Sequence, residues 1–69
     1  MNDFTTDELR TLVEALRHEI DYQCKQAGIM AMLSQEKGLE WQITAIKRNG
    51  ALYKKISDEI KERVNDEHQ

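Results

Sequence analysis

Few residues in this chain are of a type and spacing that could do chemistry. Cys24 is the single cysteine. It has no Cys-x-x-Cys partner and follows His18 at a spacing that sets the two on different sides of a helix, so a thiolate–imidazole nucleophile has no geometric basis. A small packing residue at the edge of an apolar face is the expectation. His18 has Glu14 four residues before it and Tyr22 four after, which would align all three on one helical face able to hold a proton or a metal. The Glu-x-x-His motif of di-iron bundles is absent. Glu36 and Glu40 form a second i, i+4 set, two carboxylates that mildly repel and specify no metal without further ligands. Gly-rich phosphate loops and Ser/His/Asp arrangements do not occur. The sequence therefore predicts no enzyme, no metal and no cofactor.

Any of these side chains would have to be positioned by helices. The 69 residues contain no proline and three glycines, at 28, 38 and 50, and sustained two-residue alternation is missing, so the fold class expected is all-α. Thr5-Thr6-Asp7-Glu8 matches the S/T-x-x-E capping box, with Phe4 and Leu9 placed for a hydrophobic staple, and Asp7 and Glu8 suit the positive end of the helix dipole. A first helix is expected over about residues 6–27, with Leu9, Leu12, Val13, Leu16, Ile20, Cys24 and Ala27 on one face. Gly28 could cap that helix, and Lys37-Gly38 is an equally good stop signal, so the break falls within 28–38.

Ser34 could cap a second, longer helix over about 34–66. Leu39, Ile43, Ile46, Tyr53, Ile56, Ile60 and Val64 would form its stripe, with Gly50 lying on it. Asn49-Gly50 could divide this helix and give a three-helix bundle, but the stripe keeps its phase across Gly50 and no linker residues remain. One helix, bent or weakened there, is favoured, since an interior glycine costs only about 1 kcal/mol against alanine. The tail after Val64 is expected to fray. The architecture expected is an antiparallel helical hairpin forming one domain over 1–69.

Size bears on how such a hairpin survives. Below roughly 70–80 residues one core supplies only a few kcal/mol, and without disulfides or metal the usual remedy is oligomerisation. A homodimer in a four-helix bundle is expected. No apolar run approaches the roughly 18 residues of a bilayer span, and Met1-Asn2-Asp3-Phe4 lacks the basic, apolar start of a secretory signal. With one cysteine and no internal disulfide, a cytoplasmic setting is expected and a membrane is not.

The faces point to binding. With Ile46 at the centre of the second helix, steps of about 100° set Trp41, Ala45 and Leu52 together on one side, as a second apolar strip that a lone hairpin would leave wet. Tryptophan is enriched at interface cores, so a second copy or another protein is expected to cover it. Ile29-Met30-Ala31-Met32-Leu33 is too apolar for an ordinary loop and is expected to be helical or buried. Met30 and Met32 either fill gaps in the core or form an adaptable contact surface.

Charge is uneven along the chain. Residues 1–46 hold four basic and eight acidic side chains, whereas residues 47–63 hold six basic and three acidic. Lys47, Lys54 and Lys61 recur at heptad spacing, where coiled coils place partner-selecting charges. A net charge of −3 and a pI of about 5.3 do not suit nucleic-acid binding.

Three resemblances bear on function. Thr5-x-x-Glu8-Leu9-x-x-Leu12, then Glu14-Ala15-Leu16 and Glu19-Ile20 with a charged helix behind, resembles the small two-helix accessory proteins of phages and prophages. That resemblance implies binding a larger host protein to inhibit or redirect it, and it assigns no site residues. Leu16-Arg17, Gly28-Ile29 and Leu33-Ser34-Gln35-Glu36 resemble the tiny two-helix phosphatases of the sporulation response regulator. There the resemblance implies roles for Ser34, Gln35 and Glu36, but Lys37 and Gly38 stand where that signature has leucine and aspartate. In architecture alone, an acidic hairpin dimer is similar to the Rop type of plasmid RNA-binding protein. The function expected is a non-enzymatic, self-associating interaction module, with Trp41, Ala45, Leu52, Lys47, Lys54, Lys61, Met30 and Met32 at its partner or dimer contacts.

Overall fold

The computed structural model describes residues 3 to 67, save the side chain of Glu67. Two helices account for nearly all of it: α1, Thr6–Met32, and α2, Glu36–Glu67. The chain is an all-α antiparallel helical hairpin, 52 × 19 × 15 Å in extent. The first helix starts as its capping residues dictate. The Thr5 hydroxyl accepts from the Glu8 amide at 3.1 Å, and the Glu8 carboxylate accepts from the Thr5 amide at 2.9 Å. The bonds from the Thr5 backbone and side chain hold the Glu8 carboxyl below its ordinary pKa. Leu9, one turn in, is fully buried.

The reversal takes three residues. Gly28 does not end α1; it lies within it, and the helix runs on to Met32, so the expected end at residue 27 came five residues early. Ser34 adopts the left-handed conformation, φ 58°. Its amide donates to the Ala31 carbonyl at 3.2 Å and the Gln35 amide donates to the Met30 carbonyl at 2.9 Å, which together make a Schellman turn. Ser34 is therefore the turn residue that ends α1, not the cap that starts α2. Gln35 takes that place, its carbonyl accepting from the Leu39 amide at 2.9 Å.

α2 passes unbroken through Asn49-Gly50 and continues past Val64 to Glu67, where a frayed tail was expected; His68 and Gln69 lie outside the described residues. A methyl group built on Gly50 or on Gly28 meets nothing within 4 Å. Gly50 is thus a tolerated weak point and not a site of close helix approach. Gly38 does have a packing role, since a methyl there would lie 3.0 Å from the Met30 sulfur. The thioether of α1 rests against the bare backbone at the start of α2.

The seam between the helices differs in one respect from the stripe that hydrophobicity predicts. Leu9, Val13, Leu16, Ile20, Gln23, Ala27 and Met30 on α1, and Leu39, Gln42, Ile46, Asn49, Tyr53, Ile56, Ile60 and Arg63 on α2, are all buried or half-buried. These positions alternate steps of four and three, the heptad rhythm of helices packing knobs into holes. Cys24, Ile43 and Gly50 were expected on the stripe; Gln23, Gln42 and Asn49 stand on the seam in their place. Cys24 is exposed, so it is not a packing residue. Gln23 is buried, and its side-chain carbonyl accepts from the Asn49 amide at 3.1 Å. This one polar layer fixes α1 and α2 in register, because a slip would leave a buried amide without its partner. At the open end, Arg63 donates to the Phe4 carbonyl at 2.7 Å and to Glu59 at 3.1 Å, tying the last turns of α2 to the chain before α1.

Three outcomes follow for stability. Thr5→Ala should lower the melting temperature by about 4–8 °C and let the Glu8 pKa rise towards its ordinary value in an NMR titration. Because the folded pKa of Glu8 is the depressed one, its contribution is present at neutral pH and disappears as pH falls through that value; the variant should therefore lose part of the acid-side slope of stability. Gly28→Ala and Gly50→Ala should each stabilise by about 0.5–1 kcal/mol, and Ser34→Gly by about 1 kcal/mol, measured by urea unfolding. Asn49→Leu alone should cost about 1–3 kcal/mol by orphaning Gln23, and adding Gln23→Leu should recover the loss.

Candidate functional site

The seam positions divide the remaining surface into two flanks. Measured from Ile46, Trp41, Ala45 and Leu52 lie about 100–140° to one side, while Lys47, Lys54 and Lys61 lie about 60–100° to the other. The two sets of candidate contact residues are thus on opposite flanks of α2 and cannot form one patch. The lysine flank is well solvated. Lys54 donates to Asp58 at 2.8 Å with its side chain 78% exposed. That bond raises the pKa of Lys54 and lowers that of Asp58, with Lys61 adding a smaller Coulombic effect on Asp58.

The other flank carries apolar surface from both helices, because antiparallel packing brings the same-lettered heptad flanks together. At the open end of the hairpin it forms a groove of about 450 Å³. Phe4, Leu12 and Ala15 make one wall, Leu52 the other, and the seam residues Leu16 and Ile56 form the floor, with Glu19 on the rim. Phe4, Leu12 and Leu52 are each about two-fifths exposed. Water therefore reaches the hydrophobic seam from this side. The sequence points to Leu52 but not to Phe4, Leu12 or Ala15. Leu12 reads as a core residue from hydrophobicity alone, and only its place just before the seam position Val13 marks it as a flank residue.

Trp41 stands apart from this groove although it shares a flank with Leu52. Eleven residues separate them, about 16 Å along the axis. Trp41 is 79% exposed and lines a shallow depression with Glu40, Thr44 and Arg48, all of α2. Beyond it, around the turn, stand Ile29, Met32 and Leu33, with Met32 85% exposed. Of the two methionines, Met30 is half-buried against Gly38, and Met32 projects from the last residue of α1. Ala45 is half-buried between the groove and the tryptophan.

The residues weighed for catalysis are not brought together. His18 is exposed on the side of α1 away from the seam, and Glu14 bonds to Arg17 at 2.9 Å. Glu36 is exposed in the first turn of α2, and the Ser34 amide is used by the turn. Among the described residues no three His, Cys, Asp or Glu side chains cluster as metal ligands, and no helix is long and apolar enough to cross a membrane. No family model, characterised protein or solved structure matches this chain.

Proposed function

We propose that this hairpin is a non-enzymatic interaction module of the cytoplasm that self-associates and binds a larger protein, covering a surface that the larger protein needs and so inhibiting or redirecting it. The observation that carries the reading is the placement of its large apolar side chains. The sole tryptophan is 79% exposed at the turn end, with Met32 and Leu33 exposed beside the same turn. A buried tryptophan side chain is among the commonest anchors of protein interfaces, because it removes a large rigid area from water at small cost in side-chain entropy. Methionine and leucine at the turn supply an adaptable apolar rim. The depression beside Trp41 has charged residues on both sides, Glu40 and Arg48, which can fix the orientation of a docked segment. A phage-borne role, acting on a host protein, is consistent with this surface.

The test is Trp41→Asp, compared with the unaltered chain in capture from the native host followed by mass spectrometry, and then in titration with the protein recovered. Because Trp41 is exposed, the variant should keep its melting temperature, with stability changed by less than about 0.5 kcal/mol. Partner affinity should fall by about thirtyfold or more, as for loss of a tryptophan hot spot. Unchanged affinity would remove Trp41, and with it the turn end, from the binding surface.

A further inference from the structure

The groove at the open end has a carboxylate at either end and apolar side chains between. Glu19 stands on its rim. In the other direction a smaller depression continues it along α1, sharing Phe4 and Leu12 and adding Thr11 and Glu8. Glu8, Leu12, Ala15 and Glu19 follow one another in steps of four, three and four, so they form a single row on α1 beside the seam. Eleven residues separate the two carboxylates, about 16 Å along the axis. On α2 the flank that carries Leu52 carries Glu59 two turns further on.

This row is acidic and unneutralised. Among the described residues no salt bridge reaches Glu8 or Glu19, and the Glu8 carboxylate accepts from the Thr5 amide. The cations of α2 are engaged or placed elsewhere. Arg63 donates to Glu59 and to the Phe4 carbonyl, Arg48 lines the depression at Trp41, and Lys55, about 180° around α2 from Ile46, lines neither part of the groove. Opposite charge at the edge of an interface steers encounter and selects the partner, and like charge rejects it. Nucleic acid and anionic lipid are therefore repelled here. Two copies laid groove to groove would set carboxylate against carboxylate, whichever helices met.

We propose that the open-end groove binds an amphipathic helix of another protein, one whose apolar anchors lie between two basic residues. Laying an apolar helix face into an apolar groove is a recurrent mode of recognition, read as anchors at i, i+3, i+4 and i+7. The row on α1 sets the pattern of the docked helix: a lysine or arginine, apolar anchors four and seven residues after it, and a second cation after eleven. The anchors lie over Leu16 and Ile56 and close the seam to water, and the cations meet Glu8 and Glu19. The groove is separate from the depression at Trp41, so this site stands independently of the reading given above.

The probe is a synthetic helical peptide with two leucines between two lysines at that spacing, compared with the same peptide carrying glutamate for lysine. In titrations followed by NMR, the lysine peptide should bind saturably and at least about tenfold more tightly than the glutamate peptide. Its shifts should centre on Leu12, Ala15 and Leu52. Glu19→Lys should weaken the lysine peptide about tenfold or more, whereas Asp21→Lys, the same change of charge on the other flank of α1, should alter affinity by less than about twofold. Leu52→Gln should also weaken it about tenfold; if that variant unfolds, the two charge variants decide. Trp41→Asp should bind the peptide as the unaltered chain does, so the two sites fail separately. Equal affinity for both peptides, no saturation at millimolar peptide, or shifts centred on Trp41 would overturn the proposal. So would movement of the Leu12 and Leu52 signals on dilution of the chain alone, which would mean that a second copy fills the groove.

Discussion

Two helices have a single line of contact, and that constraint governs everything else in this molecule. A hairpin can shelter what lies on the seam and little more, because each flank has only its own helix behind it. Here the seam holds Leu9, Leu16, Ile20, Ile46 and Ile56, enough to define a register but not enough to dry a core. Only two of these apolar residues are fully enclosed. The apolar side chains just off the seam, Phe4, Leu12 and Leu52, stay half in water. Surface left over in this way is a consequence of architecture, and it is the apolar surface on which the proposed function rests.

The polar layer within the seam answers a problem that the same geometry creates. A continuous apolar seam lets two helices slide by a heptad at small cost, since one set of leucines and isoleucines fits nearly as well as the next. Gln23 and Asn49 remove that freedom by requiring each other. The turn acts in the same direction. Its Schellman bonds and the contact of Met30 with Gly38 set the helices close together within three residues, and Arg63 closes the far end against Phe4. Register is thus held at the turn, in the middle and at the open end, while the flanks are left free for other molecules.

The charge pattern acquires meaning only on this scaffold. Along the sequence the acidic half and the basic segment of 47–63 look like a simple polarity. On the folded hairpin the lysines at 47, 54 and 61 form one solvated flank, whereas Arg48 lines the depression beside Trp41 on the other. Cations that are neighbours in sequence therefore have different surroundings, because consecutive helical residues turn about 100° from each other.

The sequence by itself determined the helical class, the start of α1 and the continuity of α2. Each is a local matter: the capping box closes within four residues, and the absence of proline leaves nothing to interrupt a helix. It also determined that apolar surface would exceed what one hairpin covers, since that is a count of side chains. Tertiary structure decided which residues share a seam. Hydrophobicity favours Cys24, Ile43 and Gly50 for the stripe, yet packing uses Gln23, Gln42 and Asn49, because knobs-into-holes contact is set by the three-and-four rhythm across two helices and not by the polarity of any one residue. The same distinction explains the turn. Ser34 has the side chain of a helix cap, but the bonds that satisfy the last carbonyls of α1 require a left-handed residue there, and only the meeting of the two helices placed that requirement on it.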